Sequence, residues 1–416
     1  MPRVLLRYTT STEAPYPQVL RLPSRDSDRE IYCWIFLPEL HRTGNDSASS
    51  SLPVLVDFHG GGFTSGELAE QAPWCSLFSR RLRAAVITVD YRLGPLSKYP
   101  SAVHDAEDVV RACRDETWPG YNVLRRFIDR HYGSFEVDVD TRRIATSGFS
   151  SGGNLSLNLL VSTPDWPSPL EPAKHPHDIP ALLFYPSLDC RLSPHERPLP
   201  PDMEHSNGLL SWIGKAMEGA YLPKSDSGQV RASPGLAGLG GSRDGQQSRR
   251  RAVERLVDLR EEGHEQEGSR IAGEDEEEAA ARAIAEEQRQ GGQQQDHSGI
   301  GLSSSASHDM LHPRSHSLII LPSRDSLAHQ SGLWLQSLAD AGRLRSLDDH
   351  GLDNAPGSTS SALPGVTALH VQGAPHGWTQ FPDFALAQEN RKQKYEVFER
   401  CIRFVESIWA LSDREQ

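Results

Sequence analysis

No apolar run in this 416-residue chain approaches the ~20 residues that a membrane-spanning helix needs, so no membrane association is expected. Cysteine is scarce and scattered: Cys33, Cys75, Cys113, Cys190 and Cys401, with no Cys-x-x-Cys pair or other metal spacing. That argues against a zinc module and a disulfide framework. The odd number fits a reducing compartment, and a cytoplasmic location is expected. The first residues, Met1 to Tyr8, are interrupted by Arg3 and Arg7 too early for the apolar core of a secretory signal. Positive charge is also short: 43 basic against 56 acidic residues give a net charge of −13. That argues against a nucleic-acid surface. Apolar content, at 37%, is low for a compact enzyme, so part of the chain is expected to stay out of any core.

What the chain does have is one turn around which the rest is arranged, Gly148-Phe149-Ser150-Ser151-Gly152. It fits G-x-S-x-G, the pattern of a nucleophile elbow. Arg143 to Ser147 before it is β-like, and Leu155 to Leu160 after it can run as a helix. A sharp strand-to-helix turn leaves no room for side chains two residues either side of the serine, and it places the hydroxyl at a helix N-terminus whose amides favour an oxyanion. The register admits only Ser150. For Ser151 the residue two before would have to be Gly but is Phe149, and for Ser147 it is Ala145.

Upstream, Ile31–Leu37 and Leu52–Phe58 read as strands, the second apolar nearly throughout, as in a buried parallel sheet. It runs into His59-Gly60-Gly61-Gly62-Phe63. Three consecutive glycines let backbone amides approach a ligand closely, as in the oxyanion loop of esterases. A helical stretch around Trp74–Leu82 and a strand over Ala84–Val89 follow, then Asp90-Tyr91-Arg92-Leu93-Gly94-Pro95. Val103, Ala106, Val110 and Cys113 share a helical face, and Val123–Ile128 is a further amphipathic piece. Ala181–Pro186, His316–Leu321 and Thr367–Val371 are further strands, and Leu333–Leu338 a helix. The last helix carries Tyr395, Phe398, Ile402, Val405 and Trp409 as a packing stripe. Residues 1–30 have no firm assignment. From 238 to 312 the composition turns to Gly, Gln, Ser and charge, including Glu274 to Glu278, with few aromatic or β-branched residues. No core can form there, and a disordered charged insertion is expected. It reads as a solvated spacer, with a protein partner as the competing reading. Residues 341–364 read as a second, polar loop insertion.

Several ordered blocks together resemble the hormone-sensitive-lipase-like branch of the α/β-hydrolase superfamily, the α/β-hydrolase fold-3 family. They are His59–Phe63, Val89–Pro95, Tyr99–Asp105, Gly148–Leu155 and Phe184–Asp189. The resemblance covers roughly 31–237 and 314–410. Two positions depart from the family pattern: Phe149 stands where an acid is common, and Gly94 stands where Ala is usual. The resemblance implies an α/β fold with a mostly parallel central sheet flanked by helices, formed by 1–237 and 313–416. A helical cap is implied from about 193–223, with the N-terminus as a further candidate. It implies a triad in the chain order Ser150, Asp325, His376, each at the end of a strand, with backbone amides of Gly61, Gly62 and Ser151 as the oxyanion hole. Asp189 competes with Asp325 for the acid, and His370 is the weaker choice for the base. Phe63, Phe149, Trp212 and Trp378 are candidates to line the substrate site. That bulk leads to an expectation of short acyl chains.

The expected activity is hydrolysis of small, fairly apolar carboxylic esters, with neither metal nor organic cofactor. Amidase, lactonase and deacetylase chemistry would use the same residues. A non-catalytic ligand-binding protein is the alternative from another class, because the family includes hormone receptors with an incomplete triad. The composition of 238–312 carries a test of its own. A short Gly/Ser linker in place of that stretch should leave kcat/KM on an ester within a few-fold, and a collapse of activity in a folded variant would mean that the insertion completes the site.

Overall fold

The computed structural model describes residues 13–40, 50–133, 136–192, 197, 219–237, 311–340, 344–348 and 365–412. Within them the chain has the α/β-hydrolase fold. Its sheet holds nine strands: β1 (Gln18–Pro23), β2 (Glu30–Phe36), β3 (Ser50–Phe58), β4 (Ala85–Val89), β5 (Val137–Phe149), β6 (Ile179–Phe184), β7 (Ser315–Arg324), β8 (Leu344–Asp348) and β9 (Gly365–Pro375). Their spatial order is β1-β2-β4-β3-β5-β6-β7-β9-β8. The first two strands run antiparallel to their neighbours, and the other seven pair in parallel.

Parallel strands need both faces covered, and six helices cover them: α1 (Ala72–Leu82), α2 (Ser101–Arg114), α3 (Pro119–Tyr132), α4 (Ser151–Asn158), α5 (Ser326–Asp340) and α6 (Gln388–Ser412). One core layer joins the sheet to α2–α5 through Val103, Val110, Leu124, Ile128, Leu155 and Leu338. The other joins it to α1 and α6 through Trp74, Phe78, Phe398, Ile402, Val405 and Trp409. The stripe expected on the last helix is therefore buried, except at its first residue. Tyr395 is 41% exposed, and its hydroxyl donates to Asp383 (2.7 Å).

The structure departs from the sequence reading at three places. Part of the unassigned N-terminus, Gln18–Pro23, is an edge strand of the sheet and not cap. The stretch 341–364, read as a polar loop, contributes edge strand β8, whose backbone pairs with β9. The end of the expected insertion also moves. Leu311 bridges Val161, and both Leu311 and His312 are buried. Residues 238–310 lie outside the described residues, so a linker replacement has to stop at 310 to spare the core.

The parallel register brings the chemistry to one edge. Phe58 of β3 stands opposite Gly148 of β5, and Phe149 opposite Phe184 of β6. Arg324 of β7 stands opposite Pro375 of β9, so the next residue along each chain, Asp325 and His376, leaves the sheet side by side. This is the carboxyl edge where ligands of open α/β sheets bind.

Beneath that edge β3 carries a carboxyl group, Asp57, that is fully buried. It accepts from Ser147 Oγ (2.5 Å) and from the Cys75 thiol (3.6 Å). Loss of water pushes its pKa up to about 7, against the opposing pull of those hydrogen bonds. Asp57 therefore holds its proton more tightly in the fold than in the unfolded chain. Its contribution to stability is complete below pH 3.8, its ordinary value, and is lost as pH rises through about 7. Asp57→Asn removes this dependence. Measured by denaturant unfolding from pH 4 to 7, the stability of the parent relative to the variant should fall by up to about 1.4 kcal/mol per pH unit. A gap that does not change with pH would contradict the assignment.

Candidate active site

The elbow is built from steric necessity. A Cβ on Gly148 would lie 2.0 Å from the carbonyl oxygen of Gly152, and one on Gly152 would lie 2.1 Å from that of Phe58. Real Cβ atoms do not approach so closely, so both positions must be glycine for strand, turn and helix to pack. Ser150 itself sits at φ 54°, ψ −112°, a strained conformation for a residue with a side chain. Neighbouring strands hold it there. Its N–H donates to Phe184 O (2.9 Å), and its carbonyl accepts from Ser187 N–H (3.1 Å).

Three side chains from three strand ends meet in a line. His376 Nε2 lies 3.2 Å from Ser150 Oγ, and His376 Nδ1 lies 2.7 Å from Asp325 Oδ2. A carboxylate accepts, so Nδ1 carries the proton, and Nε2 is left with a lone pair toward the serine hydroxyl. Asp325 is 2% exposed, and its other oxygen accepts Leu327 N–H (2.8 Å). The His376 side chain is 39% exposed. The Tyr185 ring packs edge-on against the imidazole at 4.9 Å, and its hydroxyl meets Thr379 Oγ1 (2.5 Å) just beyond the histidine. The competing acid does not join this line: Asp189 is held by the guanidinium of Arg191 (2.6 Å). His370 stays inside β9.

The glycine loop lies across the mouth of the elbow. Gly61 and Gly62 have φ of 118° and 62°. The carbonyl of Gly61 accepts from Thr64 N–H (3.2 Å) and Ser65 N–H (3.0 Å), turning the loop back on itself. Among the described residues, the amides of Gly61, Gly62 and Ser151 donate to no loop or turn carbonyl, so they remain available to a negative oxygen. His59 is fully buried and stacked on Tyr91, with ring centroids 4.2 Å apart. Burial lowers its pKa to about 4, so the ring is neutral and Nδ1–H donates to Gly60 O (2.7 Å). Below the loop, Gln380 Nε2 donates to Glu70 Oε2 (3.0 Å), a carboxyl that burial pushes up to about 7.

The four candidate lining residues divide. Phe63 is 8% exposed and stacks on Tyr221 at 4.6 Å, beside the glycine loop. Phe149 and Trp378 are corrections: they are 1% and 0% exposed, and both belong to the core layer under α1 and α6. Phe149 lies flat on Phe184 (4.2 Å), and Trp378 packs against Tyr185 (5.5 Å). Their bulk fills the core and presents no surface to a ligand. Trp212 lies outside the described residues, as does most of the expected cap. At its described end Tyr221 stacks on Phe63, and its hydroxyl accepts Ala102 N–H (3.2 Å).

The sequence reading assigned no role to Tyr91, Tyr185, Glu70 or Gln380. Tyr91 and Tyr185 sit inside motif blocks directly after strand ends, and that position was the available signal. Glu70 and Gln380 meet only through the fold and left no local trace.

A family model described as alpha/beta hydrolase fold matches residues 55–246. The carboxylesterase NlhH of Mycobacterium tuberculosis is 35% identical over 143 residues, which is 34% of this chain and 37% of that protein. Probable carboxylesterase 8 of Arabidopsis thaliana is 33% identical over 166 residues, 37% of this chain and 46% of that protein. The chain thus spans less than half the length of these curated relatives. Two solved structures share the fold. A hyperthermophilic esterase of the archaeon Pyrobaculum calidifontis superposes with a TM-score of 0.52 at 18% identity, over 97% of this chain and 90% of that one. The carboxylesterase EstE1, cloned from a metagenomic library, gives 0.53 at 17% identity, over 96% and 93%. By its sheet and its likeness to these structures the chain has the α/β-hydrolase fold, and over residues 55–246 it is similar to the family whose model matches there.

Proposed function

We propose that this protein is a serine hydrolase of carboxylic esters, acting through an acyl-enzyme on Ser150. The observation that carries the reading is the unbroken line from Ser150 Oγ through both nitrogens of His376 to Asp325. The carboxylesterase relatives, similar over 34% and 37% of this chain, support the same chemistry.

A serine hydroxyl needs a base at neutral pH. His376 Nε2 takes its proton as Ser150 Oγ bonds to the ester carbonyl carbon. Asp325 fixes the tautomer and stabilises the imidazolium that forms. The carbonyl oxygen becomes an oxyanion and accepts from the amides of Gly61, Gly62 and Ser151. The loss of one such donor typically costs about 3 kcal/mol of transition-state stabilisation. Collapse breaks the bond to the alkoxy oxygen, which leaves as an alcohol with the proton from Nε2. Water then attacks the acyl-serine, with His376 again as base, and the carboxylic acid departs. Small, fairly apolar esters are the proposed substrates. Phe63, 8% exposed beside the glycine loop, offers the edge of an aromatic ring to a short apolar group.

Two variants test the roles. Ser150→Ala should abolish both fluorophosphonate labelling and ester hydrolysis in a folded protein, and undiminished labelling of that variant would end the hydrolase reading. Asp325→Asn keeps the shape but removes the charge that sets the tautomer. It should lower kcat by at least about 10², given losses near 10⁴ for the equivalent change in a well-characterised triad. Asp189→Asn loses a pairing with Arg191 and should act mainly on stability. The reverse order of the two acids at equal folded fraction would move the acid to Asp189.

A further inference from the structure

Tyr91 leaves the sheet at the end of β4, the strand beside β3, and it is 1% exposed. Its ring touches both ends of the glycine loop. His59 stacks on it at 4.2 Å with planes 15° apart, and Phe63 meets it edge-on at 6.5 Å. Gly60, Gly61 and Gly62 are thus bracketed by two residues resting on one ring. The hydroxyl adds a second connection. It donates to His59 O (2.8 Å) and lies 3.3 Å from Ser151 Oγ. A phenol has one proton, and the shorter contact takes it, so Ser151 Oγ donates to the tyrosine oxygen. A hydrogen-bonded chain therefore runs from Ser151 Oγ through the Tyr91 hydroxyl to His59 O. It joins the two separate segments that carry the oxyanion amides. Phe63 holds a left-handed φ of 62° that its own backbone does not favour, so the loop needs such outside support.

We propose that Tyr91 is a positioning residue for the hydrolysis described above: its hydroxyl locks the loop carrying Gly61 and Gly62 to the elbow amide of Ser151, setting the width of the oxyanion hole. The inference rests on the hydrolase reading and adds to it a residue that touches neither substrate nor nucleophile. A donor acts on the transition state only when it is aimed at the oxyanion, not at the ground-state carbonyl. The effect should therefore appear in kcat and not in KM.

The test uses the full chain with a short-chain ester and a trifluoromethyl ketone, whose serine adduct places an oxyanion in the hole. Tyr91→Phe keeps both ring contacts and removes only the hydroxyl. The expected result is a loss of about tenfold in kcat, the scale of one buried hydrogen bond, with KM within about twofold and the ketone weakened by the same factor as kcat/KM. Tyr91→Phe also strands the Ser151 hydroxyl without its acceptor, and an orphaned buried donor carries its own cost. The double variant Tyr91→Phe/Ser151→Ala should therefore recover part of that loss. Ser151→Ala alone, which spares the Tyr91–His59 bond, should lower kcat and ketone affinity by a smaller factor. It carries the test if Tyr91→Phe does not fold. An unchanged kcat and ketone affinity in Tyr91→Phe, or in Ser151→Ala where that variant stands in, overturns the proposal. So does a double variant with strictly multiplied losses. Ser150→Ala measured alongside separates the two claims: if it retains hydrolysis, the acyl-enzyme on Ser150 falls and the positioning role with it. If it is inactive while Tyr91→Phe is normal, only the positioning role falls.

Discussion

Space for a Cβ is missing at Gly148 and Gly152, and the site depends on keeping it empty. With those two positions bare, β5 can turn into α4 directly under the end of β3. Ser150 is then lifted to the sheet edge in a strained conformation, directly before the first residue of α4. The strain is held by bonds that come from other elements: Phe184 O from β6, and Ser187 N–H from the loop beyond it. A methyl group at either glycine would push the helix from the strand, and Ser150, the Ser151 amide and the core packing of Leu155 and Leu157 would move together.

Burial distributes the charged groups around this edge into two kinds. Glu70, half-buried, and Asp57, fully buried, are pushed toward neutrality by loss of water. Asp105 is equally buried but is met by the guanidinium groups of Arg29 (2.7 Å) and Arg92 (2.9 Å). Glu107 pairs with the buried Arg231, which ties the 219–237 segment to α2. Breaking such a pair by removing one partner is costly, because the other charge stays buried. These pairs anchor the loop after β4, from which Tyr91 reaches the glycine loop. The charged framework thus sits one step behind the polar chain that runs from Ser151 through Tyr91 to His59.

Local chemistry was legible in the sequence wherever one short stretch carried the whole signal. G-x-S-x-G spells out the elbow because Gly148 answers a contact inside the motif, with the carbonyl of Gly152, although the Phe58 carbonyl that requires Gly152 lies on another strand. The apolar run Leu52–Phe58 reads as a buried strand, and the order Ser150, Asp325, His376 came from the family resemblance, since Asp189 also follows a strand. Contacts between distant stretches were not legible. Asp105 and Arg92 were visible as two separate motif blocks, yet nothing local says that they pair or that Arg29 joins them. Phe149 and Trp378 were read as lining because they flank reactive residues. Alternation along a strand and a tight turn after the histidine send both into the core instead, and sequence adjacency does not record that direction. Edge strand β8 was missed because a strand with one neighbour needs no apolar run.

The account stands on an acyl group passing through Ser150. The direct measurement is intact-protein and peptide mass spectrometry after rapid acid quench, during turnover of an activated short-chain ester. The account predicts one added acyl mass, located on the peptide that contains Ser150, and its disappearance as the ester is exhausted. Steady turnover with no acyl mass on that peptide, or with the mass on another residue, would contradict it.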